Sequence, residues 1–298
     1  LGLFSEATGY FSTAMASGGA SGNYSIAMGG SASGTSSTAM VGATASGNFS
    51  TAMGQETIAS GDNSTAMGRL TTASGNGSTA MGDNNTASGI GTIAIGNNTI
   101  ASGENSTSIG NGNSATGLYS MSIGNDNTTA EGAFSLAMGI GTLASGDYST
   151  TIGYNTTASG IYSTSMGANT TASGDYSIAS GYQSEASGDY STAMGNSTAD
   201  GEFSVAMGGS TTSGYASIAM GANTTASGMF SFAMGDGSAT GAYSTAMGSG
   251  KANGNYSFAV GGYDTRAVGD FSFAMGEVDN AAEGDFSFAM GNNGNYAY

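Results

Sequence analysis

The chain has no histidine, no cysteine and no proline, and only three of its 298 residues, Arg69, Lys251 and Arg266, carry positive charge. Each shortage closes off a class of function. Without His or Cys the usual acid–base and thiol devices are missing, and the many serines have no base to activate them, so the chain is read as not an enzyme. The lack of cysteine rules out a disulfide framework. The lack of proline argues against a proline-rich linker, and against collagen despite 54 glycines. Three cations against 20 acidic residues, a formal net charge of −17, set aside nucleic acid and anionic membrane as partners. No apolar run spans a bilayer and no signal segment or anchor is found, so no membrane insertion by this segment is expected.

What is present is one sentence, repeated from residue 9 to residue 291: Ala-Ser-Gly, a polar or aromatic pair, Ser-Thr-Ala-Met-Gly, then a polar stretch back to Ala-Ser-Gly. The period is about fourteen residues, the mark of a solenoid. Two glycine columns carry the register, Gly61, Gly75 and Gly89 in the first and Gly68, Gly82 and Gly96 in the second, and these are read as structural turn glycines. Ala16 stands where the second column has glycine, and Val41 is an insertion that delays Gly42. From a second glycine to the next first glycine the spacing varies, as in Gly29 to Gly34 against Gly124 to Gly132. Insertion is tolerated at one corner only, so the chain is a wound coil with fixed strands and one free corner. It is read as a single array over residues 1–298, with no separate stalk or anchor domain. The register is set within the first ten residues, so the chain is read as a mature product or an excerpt.

The columns assign faces. Alanine precedes the first glycine from Ala7 to Ala282, broken by Thr212, while the position before it admits Glu6, Glu185, Lys251 and Arg266. Such alternation makes a short strand with an inward and an outward face. The second segment has Met28, Met53, Met67, Ile95 and Val260 on one parity with Thr51, Ile26, Phe232 and Phe258, and Ala27, Ala52, Ser25 and Ser50 on the other. Neither parity admits charge, so this strand is expected to be buried on both faces, with a neighbouring chain covering the outer one.

The strings Ser-Thr-Ala-Met-Gly, Thr-Ile-Ala-Ile-Gly (residues 92–96) and Ser-Met-Ser-Ile-Gly (residues 120–124), alternating with Ala-Ser-Gly, resemble the head repeats of trimeric autotransporter adhesins of the YadA type. The resemblance covers nearly the whole chain, although Thr and Met stand where those heads usually prefer Val and Ile. It implies an all-β fold, a left-handed parallel β-roll of about twenty fourteen-residue coils. It further implies three chains side by side, displayed outside a cell or on its surface and attaching to matrix protein, glycan or another cell surface.

An aromatic column follows two residues after the first glycine and includes Tyr119, Phe134, Tyr148, Tyr162, Tyr176, Tyr190 and Phe203; Ser36, Asn63, Gly77, Gly91 and Asn105 interrupt it. It is a candidate surface strip for a ligand or, the preferred reading, a ladder cementing successive coils. A polar ladder, Thr57, Thr71, Thr99, Thr128, Thr142, Thr156, Thr170 and Thr224 with Asn85, Asn113, Ser184 and Ser197, runs through the free corner and leaves ice binding as a lesser alternative. Asp62, Asp147, Asp175, Asp189, Asp270 and Asp285, joined by Glu104 and Glu202, follow the first glycine. The nine-residue calcium-roll period is missing and Asp after Gly is ordinary turn chemistry, so neither metal nor cofactor is assigned. The leading function is an adhesin-like module presenting an extended repetitive surface on a fibre or appendage, with itself as first partner. The alternative is a structural filament subunit, extracellular or viral, that stacks end to end through open sheet edges.

Overall fold

The computed structural model describes residues 4–292 and 294–298. Leu1, Gly2, Leu3 and Asn293, which the single-array reading includes, lie outside the described residues. All regular elements among the described residues are β-strands, paired in parallel. They form two compact units, Leu1–Tyr154 and Asn155–Tyr298. Each unit is a solenoid built of the same coil.

One coil of the first unit shows the construction. A two-residue strand, Thr44–Ala45, leads through a tight corner into Thr51–Met53, and a second corner returns the chain to Ile58–Ala59. The second unit repeats this with Thr171–Ala172, Ile178–Tyr182 and Glu185–Ala186. Like pairs with like from coil to coil: Thr65 with Thr79, Ala66 with Ala80, Met67 with Met81 and Gly68 with Gly82. In the second unit Ala179 pairs with Ala193. Backbone bonds of 2.8–2.9 Å, such as Thr51 N–H to Ser64 O and Ile58 N–H to Thr71 O, continue the ladder beyond the strand residues.

The interior is thin because both strands turn alanine inward. Ala45, Ala52 and Ala59 are fully buried, as are Ala172, Ala179 and Ala186. Where the alanine column is broken, Thr212 is also buried and donates its hydroxyl to Ser204 Oγ at 3.0 Å. Serines close the interior at the first corner: Ser25, Ser37, Ser50, Ser163 and Ser217 each donate a hydroxyl to the carbonyl three residues earlier, at 2.6–2.8 Å. A methyl buries only about 0.8 kcal/mol of apolar transfer, so cohesion rests heavily on the hydrogen-bonded stack.

The first-column glycines have no steric alternative, since a Cβ at Gly61 would overlap the carbonyl of Gly75 in the next coil. Second-column Gly68 would meet Gly82 in the same way, and its φ of +125° is one that L side chains rarely adopt. The free corner absorbs length with left-handed residues. Most coils use one, such as Asn84 (φ +54°) or Asn169 (φ +55°), whereas the long corner between Gly124 and Gly132 uses two, Asp126 (+52°) and Asn127 (+62°). Ala16, standing in for glycine, adopts +51°, and the inserted Val41 +56°.

Two expectations are revised. The polar ladder is not a surface rank: Thr57, Thr71, Thr99, Thr128, Thr142, Thr156, Thr170, Thr224, Asn85, Asn113, Ser184 and Ser197 are all buried. They point inward because the corner residue before each is left-handed, which turns the next side chain onto the alanine side. Some of them satisfy carbonyls there: Asn85 Nδ2 donates to Met81 O at 2.6 Å and Gly96 O at 2.7 Å, and Thr224 Oγ1 to Gly235 O at 2.7 Å. This removes the surface on which ice binding was argued. The long strand, expected to be dry on both sides, is dry on one in the single chain: Ala27 is fully buried, while Ile26 and Met28 beside it are 42% and 36% exposed.

Candidate functional site

Two surfaces stand out in each unit, and a shared corner links them. The first is the aromatic corner. In the turn Gly47-Asn48-Phe49-Ser50 the Ser50 N–H donates to Gly47 O at 3.3 Å, and Phe49, third in the turn, has φ +57°. The same left-handed value recurs at Tyr119, Phe134, Tyr148, Tyr162, Tyr176, Tyr190 and Phe203, between +53° and +58°. Left-handed backbone disfavours a side chain by roughly 1–2 kcal/mol, so something must offset it. Part of the offset is a backbone bond to the preceding coil, as from Tyr176 N–H to Ile161 O at 2.8 Å. The rest is ring stacking.

In the first unit Tyr119, Phe134 and Tyr148 stack with centroids 5.1 Å apart and planes within 12°. In the second, Tyr162, Tyr176, Tyr190 and Phe203 stack at 4.8–5.1 Å. The turn also explains the interruptions: Gly77 (+67°), Gly91 (+66°), Asn63 (+56°) and Asn105 (+56°) are residues that tolerate this conformation without a ring. Ala216 occupies the position at +50°, and Tyr215 beside it fills the gap edge-on between Phe203 and Phe230, at 5.6 and 5.5 Å. Tyr215 escapes a column reading because it stands one place early. Since each stacked ring covers its neighbours' faces, the column offers solvent ring edges and tyrosine hydroxyls, and ring faces only at its interruptions.

The acidic column belongs to this corner and braces it. Asp62 Oδ1 accepts from Asn48 N–H at 2.8 Å, Asp175 Oδ1 from Ile161 N–H at 2.8 Å, and Asp189 Oδ1 from Asp175 N–H at 2.9 Å. Neutral Asn76 does the same for Asp62 N–H at 3.2 Å, so the task needs an acceptor oxygen and not a charge. Among the described residues no three acidic side chains gather as a metal site would require.

The second surface is the outer face of the long strands. In the first unit it exposes Met15 (40%), Met121 (40%) and Ile152 (40%). In the second it exposes Ile178, Met194 and Met275, and a further ring stack of Phe258, Phe273 and Phe288 at 4.8–5.1 Å. No charged residue stands on the Thr/Ile/Phe and Met columns of this face. Arg69 and Asp83 end two adjacent long strands, Thr65–Arg69 and Thr79–Asp83, and pair with each other at 2.6 Å, while Lys251 and Arg266 stand on short strands and are matched to Asp264 at 3.7 and 3.5 Å.

Two grooves open on the first unit. A groove of about 460 Å³ runs over Thr44, Ile58 and Thr72 with Glu56 as its single carboxylate, and a smaller one near Ser21 holds only Glu6. Neither gathers an acid with a base. No helix among the described residues is long and apolar enough to cross a membrane.

A family model described as the YadA head domain repeat, two copies to the unit, matches in overlapping windows across residues 32–211 and again over 213–238 and 239–263. The chain belongs to this family. Between residues 32 and 211 successive windows advance by one coil, as from 45–71 to 59–85, so the coils inside that run take part in two matches. The YadA-type head is an adhesin-type repeat, and the parallel solenoid with its paired glycine columns is the fold that the head repeat builds. A search among curated proteins found no individual match.

Proposed function

We propose that this YadA-type head works as a homotrimer outside the cell, presenting an extended repetitive surface on a fibre or appendage for attachment to matrix protein, glycan or another cell. The observation that carries the reading is the outer face of the long strands, whose Thr/Ile/Phe and Met columns hold no charge and whose ends carry only the self-paired Arg69 and Asp83. Half-exposed Met, Ile and Phe recur along this face, and contiguous exposed apolar rows mark contact surfaces. A β-face of this kind is satisfied by an identical face, because each coil then meets its own register. The short-strand face, mostly threonine and serine with Glu185, Lys251 and Arg266 and with Ile58 and Ile100 interspersed, is the side available for display. The chemistry of this reading is recognition, the role an extended repetitive surface serves.

The test is binding by purified protein of defined mass. Trimers that bind immobilised matrix proteins or glycans support the reading. Monomers, or trimers that bind none of a broad panel at high density, would contradict it.

A further inference from the structure

Triplets of the form Asn-x-Ser/Thr, the acceptor signature for N-glycosylation, recur along the chain. The fold divides them by where it puts the third residue. At the first corner, Asn23, Asn48, Asn76 and Asn255 are followed two residues later by Ser25, Ser50, Ser78 and Ser257, all buried in the coil interior. Asn97 belongs with them, because Thr99 is buried and gives its hydroxyl to Asn85 Oδ1 at 2.8 Å. At the free corner the parity is reversed. Asn84, Asn127, Asn155, Asn169, Asn196 and Asn223 are exposed, with φ between +51° and +62°, and the buried residue after each is followed by an outward threonine of the short strand. Asparagine amide and threonine hydroxyl therefore lie on the same, solvent side of the chain.

We infer that these six asparagines are N-glycosylation sites of the folded head, modified by a glycosyltransferase that reads Asn-x-Thr. In the reaction, Asn Nδ2 forms a bond to the anomeric carbon of an activated sugar phosphate. The bond from that carbon to the phosphate oxygen breaks, the (nucleoside) phosphate leaves with the electron pair, and one amide proton passes to a base of the transferase. The product keeps one N–H on Nδ2; in the unmodified head the Asn155 amide donates to Asn169 Oδ1 at 2.9 Å. Asn169, Asn196 and Asn223 follow in turn with one coil between successive sites, occupied at the corner by Gln183 and then Gly209. At about 4.8 Å per coil this leaves on the order of 10 Å between attached sugars, room for one on each. Asn155 and Asn169 stand on adjacent coils and compete. The attached sugars would coat the free corner and leave the long-strand face clear.

The test is peptide mapping by mass spectrometry, using chymotrypsin because Lys and Arg are scarce. The head recovered from the cells that make it should carry sugar at Asn84, Asn127, Asn196 and Asn223 and at one of Asn155 and Asn169, and not at Asn48, Asn76, Asn97 or Asn255. Folded, unmodified head treated with a soluble Asn-x-Ser/Thr transferase and UDP-glucose should give the same division. Thr157→Val should abolish addition at Asn155, and Thr157→Ser should retain it. An unmodified mass from the native cells overturns the inference, as does equal addition at the buried-hydroxyl sites of the folded head. Asn63 and Asn105 are left out of the comparison, because their threonines, Thr65 and Thr107, lie on the face assigned to partner copies.

Discussion

Replacing Tyr176 should invert the ordinary ranking of alanine and glycine. The ring stacks on Tyr162 at 5.1 Å and on Tyr190 at 4.9 Å, and its backbone holds φ +57°. Removing it by Tyr176→Ala loses two stacked contacts, about 0.5–1.5 kcal/mol each, so about 1–3 kcal/mol in all, while the left-handed strain of roughly 1–2 kcal/mol remains. Tyr176→Gly loses the same contacts but relieves that strain. Glycine normally costs about 0.5–1 kcal/mol more than alanine through unfolded-chain entropy, which leaves Tyr176→Gly more stable than Tyr176→Ala by about 0.5–1 kcal/mol. Tyr176→Val should be the worst, because a branched Cβ suits this region least. The variants are to be compared by denaturant midpoint and by exchange of the Tyr176 amide, which is bonded to Ile161 O. Local exchange matters because solenoid stability is summed over neighbours and a single coil can open alone. A glycine variant less stable than the alanine variant would refute the claim that backbone strain selects the residues of this column.

Other perturbations separate the remaining forces. Gly68→Ala meets both a neighbouring carbonyl and an unfavourable φ, whereas a Cβ at Gly77 (φ +67°) meets nothing within 4 Å. Gly77→Ala should cost about 1 kcal/mol, and Gly68→Ala should cost several times more by the same denaturation assay. Thr128 Oγ1 donates to Gly139 O at 3.0 Å, while the buried hydroxyl of Thr142 has no hydrogen-bond partner among the described residues. Thr128→Val should therefore cost about 1–3 kcal/mol, and Thr142→Val should be neutral or stabilising. Arg69→Met should change the midpoint by less than about 1 kcal/mol, since the Arg69–Asp83 pair is solvent-exposed.

Much of this fold was legible because a repeat states the same physical constraint many times. The alanine before the first glycine could only be inward once Glu185 and Lys251 had occupied the position beside it. The free corner could be located from the varying distance between Gly29 and Gly34 or Gly124 and Gly132. What escaped was the sense of the residues just after left-handed backbone. Strict alternation fails there, so Thr57 and Asn85 looked like a surface rank while filling the interior. The same property hid the reason for the aromatic column's gaps: Asn63 and Gly77 read as losses of a ring, when they are the residues that need no ring to hold the turn. The acidic column was legible as turn chemistry, but not as a brace to the preceding coil, because the partner of Asp62 is a backbone amide about one period away.

The central claim is that this head cannot finish its outer long-strand face alone, and light-scattering mass in solution tests it most directly. The account predicts a finite particle of three times the 28.8 kDa of one chain, unchanged on dilution and reduced to monomer or aggregate by Met138→Asp together with Met166→Asp. A stable, soluble 28.8 kDa monomer of the unaltered chain would contradict it.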